Sequence, residues 1–314
     1  MLKSALPRFW MLAFYVLQVR KFVLILVVNC LQYILDTRIQ LCITGLLKMK
    51  LKRYLSNIFK VRRGIPRSLY IIMSILPFAF ILLAWQGVLN LHYVRTIFLP
   101  YPYSIYRAFI QWENGNLYGD ILISTYQVGM GFLIAAIIAV PLGIYAGSLK
   151  IVEAWIQPIS DFGRYLPAAA FIPLVIVWFG IGEEPKIAII FIGVFFQLVI
   201  MTVDAVKSTA TDLIDASLTL GAQNSEVISR IILPASAPKI LNAMRVCFGW
   251  GWTYVVVAEL VASTRGLGYA IMQAQRFMDT PKIFVGIIII GGIGLLFDSI
   301  FRILHKIIFS WEPR

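Results

Sequence analysis

Apolar residues in this chain come in long continuous runs divided by shorter polar stretches. Six runs stand out, at about 68–89, 121–147, 165–181, 186–203, 240–262 and 283–305. About 20 helical residues cross a hydrocarbon core. Backbone polar groups in lipid must pair within the segment, so each run predicts a transmembrane helix. A barrel strand would alternate instead. The run at 121–147 is long enough to tilt or to project beyond the bilayer. A further apolar region, 9–35, is interrupted by Arg20 and Lys21. The pieces on either side are too short to span, and a buried Arg-Lys pair would be costly. That region reads as an interfacial amphipathic helix; a later start of the chain, at Met49 for instance, is the alternative.

Composition agrees with lipid as the main solvent. The 314 residues are 60% hydrophobic and 14% charged, with a mean hydropathy of +0.84. A soluble domain holds nearer a quarter charged residues. The formal net charge of +13 would suggest nucleic acid if it were spread along the chain. It is not: residues 1–67 hold 13 Lys and Arg against one acid, Asp36, and the remainder is nearly neutral. A basic segment beside the first span marks the cytoplasmic face and anionic lipid, not nucleic acid. Six spans then return the C-terminus to the same side, giving a basic amphipathic extension over 1–67 and a transmembrane domain over 68–314. Cys30, Cys42 and Cys247, with His92 and His305, have no metal-ligand or disulfide spacing.

The most informative stretch is the predicted cytoplasmic segment 204–239. Residues 212–220 read DLIDASLTL, with Leu213, Ile214, Ala216 and Leu220 among polar positions. Asp212 is suited to cap a helix start and Asp215 to its first turn. Gly221 permits the chain to turn. A second helical piece is expected over 223–232, stopped by Pro234 and Pro238. Together these predict a short, compact helix-turn-helix, with an ordinary loop covering the bundle as the alternative.

Asp215-Ala216-Ser217, then Gly221, then Ile231, Leu233 and Pro234 resemble the signature of ABC importer permeases: Glu-Ala-Ala, three residues, Gly, nine residues, Ile-x-Leu-Pro. Asp replaces Glu and Ser replaces the second Ala. The stretches STYQVGMGFLIAAIIAVPLGIYAG, LPAAAFIPLVIVWFGIGEEPKI and GLGYAIMQAQ are similar to the nitrate/sulfonate/taurine branch of that family, and the likeness runs from about residue 98 to 311. The resemblance implies an all-α membrane protein of about six transmembrane helices with a cytoplasmic coupling helix. It implies a multi-pass bacterial inner-membrane subunit with both termini cytoplasmic. Asp212, Asp215, Ala216, Ser217, Gly221, Ile231, Leu233 and Pro234 would form the element that meets a separate ATPase. Ala216, Ser217 and Gly221 would supply a small-residue face for close approach. The implied partners are that ATPase, an external solute-binding protein and a second permease copy. The chain has no G-x-x-x-x-G-K-[ST] phosphate loop, so no cofactor is expected in it, and ATP and Mg would be bound by the ATPase chain.

Five residues are candidates for the translocation pathway: Gln197, Arg245, Trp250, Trp252 and Glu259. A carboxylate within a span points to function, although Glu259 could instead meet loops or Arg265. Arg245 could serve an anion path or reach lipid phosphates. Gln197 needs a hydrogen-bond partner in a dry bundle. Gly286, Gly291, Gly292 and Gly294 suggest a packing face on the sixth span. Two other function classes compete. A secondary carrier would need repeated discontinuous helices and ionisable groups at the midplane. An intramembrane enzyme would need a nucleophile–base pair or a metal set inside the bilayer. Co-purification with an ATPase separates the importer from both.

Overall fold

A computed structural model of the chain describes residues 66–92, 94–260 and 263–311. The interfacial helix expected at 9–35 lies outside the described residues, as does all but the end of the 1–67 extension. The chain divides into two units, Met1–Ile81 and Leu82–Arg314. Helix α1 (Arg67–Asn90) runs across the division, and its opening turns are the described part of the first unit.

Every regular element among the described residues of the second unit is a helix. After α1 come α2 (Pro102–Glu113), α3 (Leu117–Ser148) and α4 (Lys150–Gly163). A 3-10 turn (Ala168–Phe171) leads into α5 (Ile172–Phe179), then α6 (Glu184–Lys207) and α7 (Thr211–Thr219). Next, α8 (Asn224–Val227), a π turn (Ile228–Ile232) and α9 (Leu233–Glu259) run on without a gap. The last elements are α10 (Leu267–Arg276) and α11 (Thr280–Ile308). Helices α1, α3, α6 and α11 and the run Asn224–Glu259 are each long and apolar enough to cross a membrane. The pair Lys150–Gly163 and Ala168–Phe179, bent by 87°, makes a sixth candidate.

The centre of the unit is the contact between α3 and α6. Gly131, Ala135, Ala139, Gly143 and Gly147 recur at every fourth position of α3 and form one stripe. Opposite it, a Cβ added to Gly131 would come within 2.8 Å of Ile190, one on Gly143 within 2.5 Å of Thr202, and one on Gly147 within 2.7 Å of Val206. Each pair keeps the same sequence offset, so the two helices are parallel and in register. Small residues let two backbones approach this closely, and dispersion is what holds them where lipid removes the hydrophobic drive.

Two parallel helices need a connection that returns to the starting end, and 149–183 is that return. The straight span expected at 165–181 is not present. Pro167 sits in extended backbone between α4 and the 3-10 turn, because its ring has no N–H with which to continue a helix. Helix α5 has 8 residues and stops at Gly180, whose φ is +76°. Eight residues rise only about 12 Å, so the crossing also needs α4, which lies outside the run expected to span. The signal for α4 was there: Ile151, Trp155, Ile159 and Phe162 mark one exposed apolar stripe, with Lys150, Glu153 and Asp161 among them in sequence.

Helix α9 runs antiparallel to α3 and α6. Gly251 meets Val128, and Gly193 on α6 lies beneath the ring of Tyr254. Phe248 gathers Phe132 of α3 and Phe297 and Phe301 of α11, with ring centroids 4.9–5.5 Å from its own. The connection from α6 to the next membrane-spanning run is shorter than the 204–239 expected, since α6 continues to Lys207 and that run begins at Asn224, with α7 between them. Pro234 and Pro238 do not end that helix. Leu233 N–H bonds back to Ile228 O across the π turn, and this wider turn provides the room that the Pro234 ring needs against the preceding carbonyls. Gly286 packs against Ile271 and Trp112, whereas Gly291, Gly292 and Gly294 meet nothing within 4 Å. Helix α11 instead packs through residues such as Ile289, Ile293 and Phe297.

The stripe yields a paired prediction. Gly143→Ala should lower the stability of the purified protein by about 1–3 kcal/mol through overpacking. Gly129→Ala, on the same helix with open space around it, should be neutral or stabilising, because Ala favours helix by up to about 1 kcal/mol. Thermal unfolding in detergent reads both, and equal midpoints for the two variants would contradict the stripe.

Candidate functional site

Helix α7 and the turn after it form a rigid element at one end of the bundle. Three residues, Ser208–Ala210, separate it from α6. Ser208 Oγ receives Lys239 Nζ at 2.6 Å and donates to Ala205 O at 2.6 Å, which fixes the exit from α6. The helix therefore restarts at Thr211 with Ala210 as its N-cap. Asp212 lies in the first turn but caps nothing, and Asp215 falls beyond that turn, unlike the sequence expectation. At the far end, Gly221 N–H bonds Leu218 O and Ala222 N–H bonds Ser217 O, both at 3.0 Å. This is a Schellman closure. It requires positive φ after the C-cap, and Gly221 has φ +87°. Glu226 then reaches back to accept from Gln223 N–H at 3.1 Å, starting α8.

The inward face of α7 carries Ile214, packed on a cluster of Val206, Val227, Ile232 and Ile240. Ser217 is buried on the same side and donates to Ile214 O. Ala216 is exposed, so Ala216 and Ser217 do not share one outward face as the resemblance implied. The outward face instead presents Leu213, Ala216 and Leu220 at helical spacing, beside exposed Asp212 and Asp215. Leu220 is 88% exposed, which is unusual for an apolar residue on so firmly held an element. Leu233 and Pro234 are also exposed nearby in sequence, and Ile231 is half-buried.

The opposite end of the bundle is tied by a buried polar network. Glu259, fully buried at the end of α9, accepts from Ser124 Oγ at 2.5 Å, Gly268 N–H at 2.6 Å and Tyr269 N–H at 3.3 Å. Ser124 also accepts from Leu267 N–H at 2.9 Å. Asp120 accepts from Gly266 N–H and from Trp112 Nε1, each at 3.0 Å. The free amides that open α10 thus all end on side chains of α3 and α9, where a carboxylate is favoured by the helix dipole. Gly266 has φ +116°, and a Cβ there would overlap the Glu259 carboxylate. Arg265 is not among the partners of Glu259. Beside this network Glu183 accepts from Gln127 Nε2 at 2.6 Å and from the buried Lys186 Nζ at 2.9 Å.

The remaining pathway candidates separate. Arg245 lies with its Nε 3.2 Å from Asp298 Oδ1, an ion pair whose N–H is not aimed for a hydrogen bond. Asp298 also holds Arg302. Arg245 therefore clamps α9 to α11 in place of reaching lipid. Trp252 is buried, packs on Phe297, and its Nε1 has no partner. Gln197 is half-buried on α6. Trp250 is 40% exposed and lies on an open face of α9 with Asn242, Gly249 and Thr253. Asp120 and Ser124 were missed by sequence reasoning. They face the same way as Gln127 at helical spacing, and a polar stripe within an apolar run was the available signal.

Glu259→Ala would strand the Ser124 hydroxyl and two amides. It should cost about 1–3 kcal/mol and loosen the start of α10. Hydrogen exchange at Gly268 and Tyr269 should speed up in the variant. Unchanged exchange there would show that the carboxylate does not hold α10.

Comparison with known proteins matches these features to a family. Residues 139–309 match the model for "Binding-protein-dependent transport system inner membrane component". A probable ABC transporter permease protein of Brucella abortus (strain 2308) is 39% identical, covering 69% of this chain and 88% of that protein. The putative aliphatic sulfonates transport permease protein SsuC of Bacillus subtilis (strain 168) is 37% identical, covering 82% of this chain and 94% of that one. Among solved structures, a chain of the MetNI methionine ABC transporter, inward facing and in its native crystal form, is 21% identical. It covers 62% of this chain and 96% of that chain with a TM-score of 0.52, a likeness of fold. The chain belongs to the family of binding-protein-dependent transport system inner membrane components: it is the membrane-spanning permease subunit of an ABC importer, whose ATPase is a separate component.

Proposed function

We propose that this permease imports a small organic anion of the sulfonate class, that two copies enclose the pathway, and that α7 receives the stroke of the ATPase. The carrying observation is the outward face of α7. Leu213, Ala216 and Leu220 form an unpartnered apolar stripe flanked by Asp212 and Asp215, on a helix closed at its end and seated on the bundle through Ile214. A rigid, amphipathic knob of this kind suits insertion into a groove of a partner. ATP and Mg belong to that partner. In this reading α7 and both termini are cytoplasmic, and the α10 end meets the binding protein outside. The Glu259 network is then a fixed strut and not a cargo site, because its carboxylates are turned onto donors of α2, α3 and α10.

The open face of α9 supports a second copy. Asn242 and the indole N–H of Trp250 would be poor company for hydrocarbon, and a paired permease would enclose them around a watered path. The sulfonate class rests on the likeness to the aliphatic sulfonates permease. In cells expressing the permease with its ATPase and binding protein, a labelled short alkanesulfonate should accumulate, and the native mass of the complex should contain two permeases. Absence of uptake would remove the sulfonate assignment, and one permease per complex would remove the pair.

Gly221→Val tests the coupling role itself. Val cannot adopt φ near +87° without strain, so the Schellman closure opens and Leu220 loses its place. The protein should still insert in the membrane, while uptake falls by about tenfold or more, equivalent to roughly 1.4 kcal/mol of lost coupling. Asp215→Glu should transport normally. Wild-type uptake by Gly221→Val, with normal stimulation of ATP hydrolysis, would contradict the role given to α7.

A further inference from the structure

We propose that a cavity between α7 and the adjoining ends of α3, α4 and α6 binds an organic oxyanion that carries a short apolar chain. The cavity measures about 450 Å³, within the range of small-molecule sites. Among the described residues, its charged lining is Lys150 and Lys207. Glu153, outside the lining, holds both ammonium groups at 3.1 Å, Lys150 through one oxygen and Lys207 through the other. That carboxylate fixes the two cations at the rim and offsets only one of their charges. Ser148, Thr209 and Thr211 are also in the lining. Thr209 Oγ1 is shut off from solvent, and so from the cavity, and offers it no donor; Ser148 Oγ already donates to Ile144 O, which leaves Thr211 as the hydroxyl that can donate to an occupant. These groups select an anion with several oxygens.

The rest of the wall selects the chain on that anion. Val206, Ile214, Leu218 and Ile228 give the cavity an apolar side. Inorganic phosphate or sulfate would leave that side to water, whereas an alkyl phosphate or alkanesulfonate would cover it. Such an occupant touches α7 through Thr211, Ile214 and Leu218 and the spans through Ser148, Lys150 and Lys207. It therefore ties the one to the other. The ligand can arrive as a soluble metabolite-sized anion or as the headgroup end of an anionic lipid.

Hexyl phosphate is a suitable probe, since it is not of the sulfonate class proposed as cargo. The full chain in nanodiscs of phosphatidylcholine should bind it saturably by calorimetry, above empty discs, and hexyltrimethylammonium should not compete. The double variant Lys150→Ala/Lys207→Ala should weaken binding by about tenfold or more, and Thr211→Val, nearly isosteric, should weaken it to a lesser degree. Amides of α7 should exchange more slowly when the probe is bound. Weaker apparent binding in discs containing phosphatidylglycerol would assign the site to a lipid headgroup, and equal binding would assign it to a soluble anion. Binding no greater than to empty discs, or unchanged in both variants while their thermal midpoints match the wild type, would overturn the site. Neither result touches the coupling role of α7, which Gly221→Val tests separately.

Discussion

The close approach of α3 and α6 is the constraint on which the rest of this fold depends. In lipid, apolar side chains gain little by leaving their surroundings for each other, so helices associate through contact area and fit. The glycine and alanine stripe on α3 brings its backbone against Ile190, Thr202 and Val206. From that parallel pair the other placements follow. The chain must double back through α4 and α5, and α9 must lie across both helices in the opposite sense. Its own small residue, Gly251, seats it near Val128. Helix α11 then closes over the aromatic cluster around Phe248.

Each end of this packed core carries a different kind of polar chemistry. At one end the Glu259 network spends every hydrogen bond internally and leaves α10 little freedom. At the other, α7 keeps its polar and apolar groups outward, with only Ile214 and Ser217 committed to the bundle. The first arrangement suits a part that must not move relative to its neighbours. The second suits a part that must meet something else. The two ends are joined by one continuous helical run from Asn224 to Glu259, which makes α9 the natural carrier of a displacement between them.

Much of this was legible in the sequence, for identifiable reasons. Five of the six expected spans correspond to long helices because unbroken apolar runs have few other solutions in lipid. Gly221 was readable because only glycine fits the αL position that closes α7. The broken crossing was not, since hydropathy averages over a proline bend and ranks 165–181 above the amphipathic α4. Helix α2 and helix α10 were too short and too polar to stand out. The roles of Asp120, Ser124 and Glu259 depend on α3 meeting α9 and α10, which lie 135–146 residues further along the chain, and no local pattern carries that. Pro234 misled for a simpler reason: a proline breaks an α-helix but can be accommodated after a π turn.

The length of that last helical run has a mechanical meaning. Its 36 residues make a rod of about 54 Å, and a tilt of about 10° about the midpoint displaces each tip by roughly 5 Å. A lever of this proportion needs no unfolding and no large torsional change to open one mouth of a channel while narrowing the other. The π turn sits near the α7 end of this rod, where, in the coupling role proposed for α7, its wider backbone would take up strain before it reached the close contact of Gly251 with Val128.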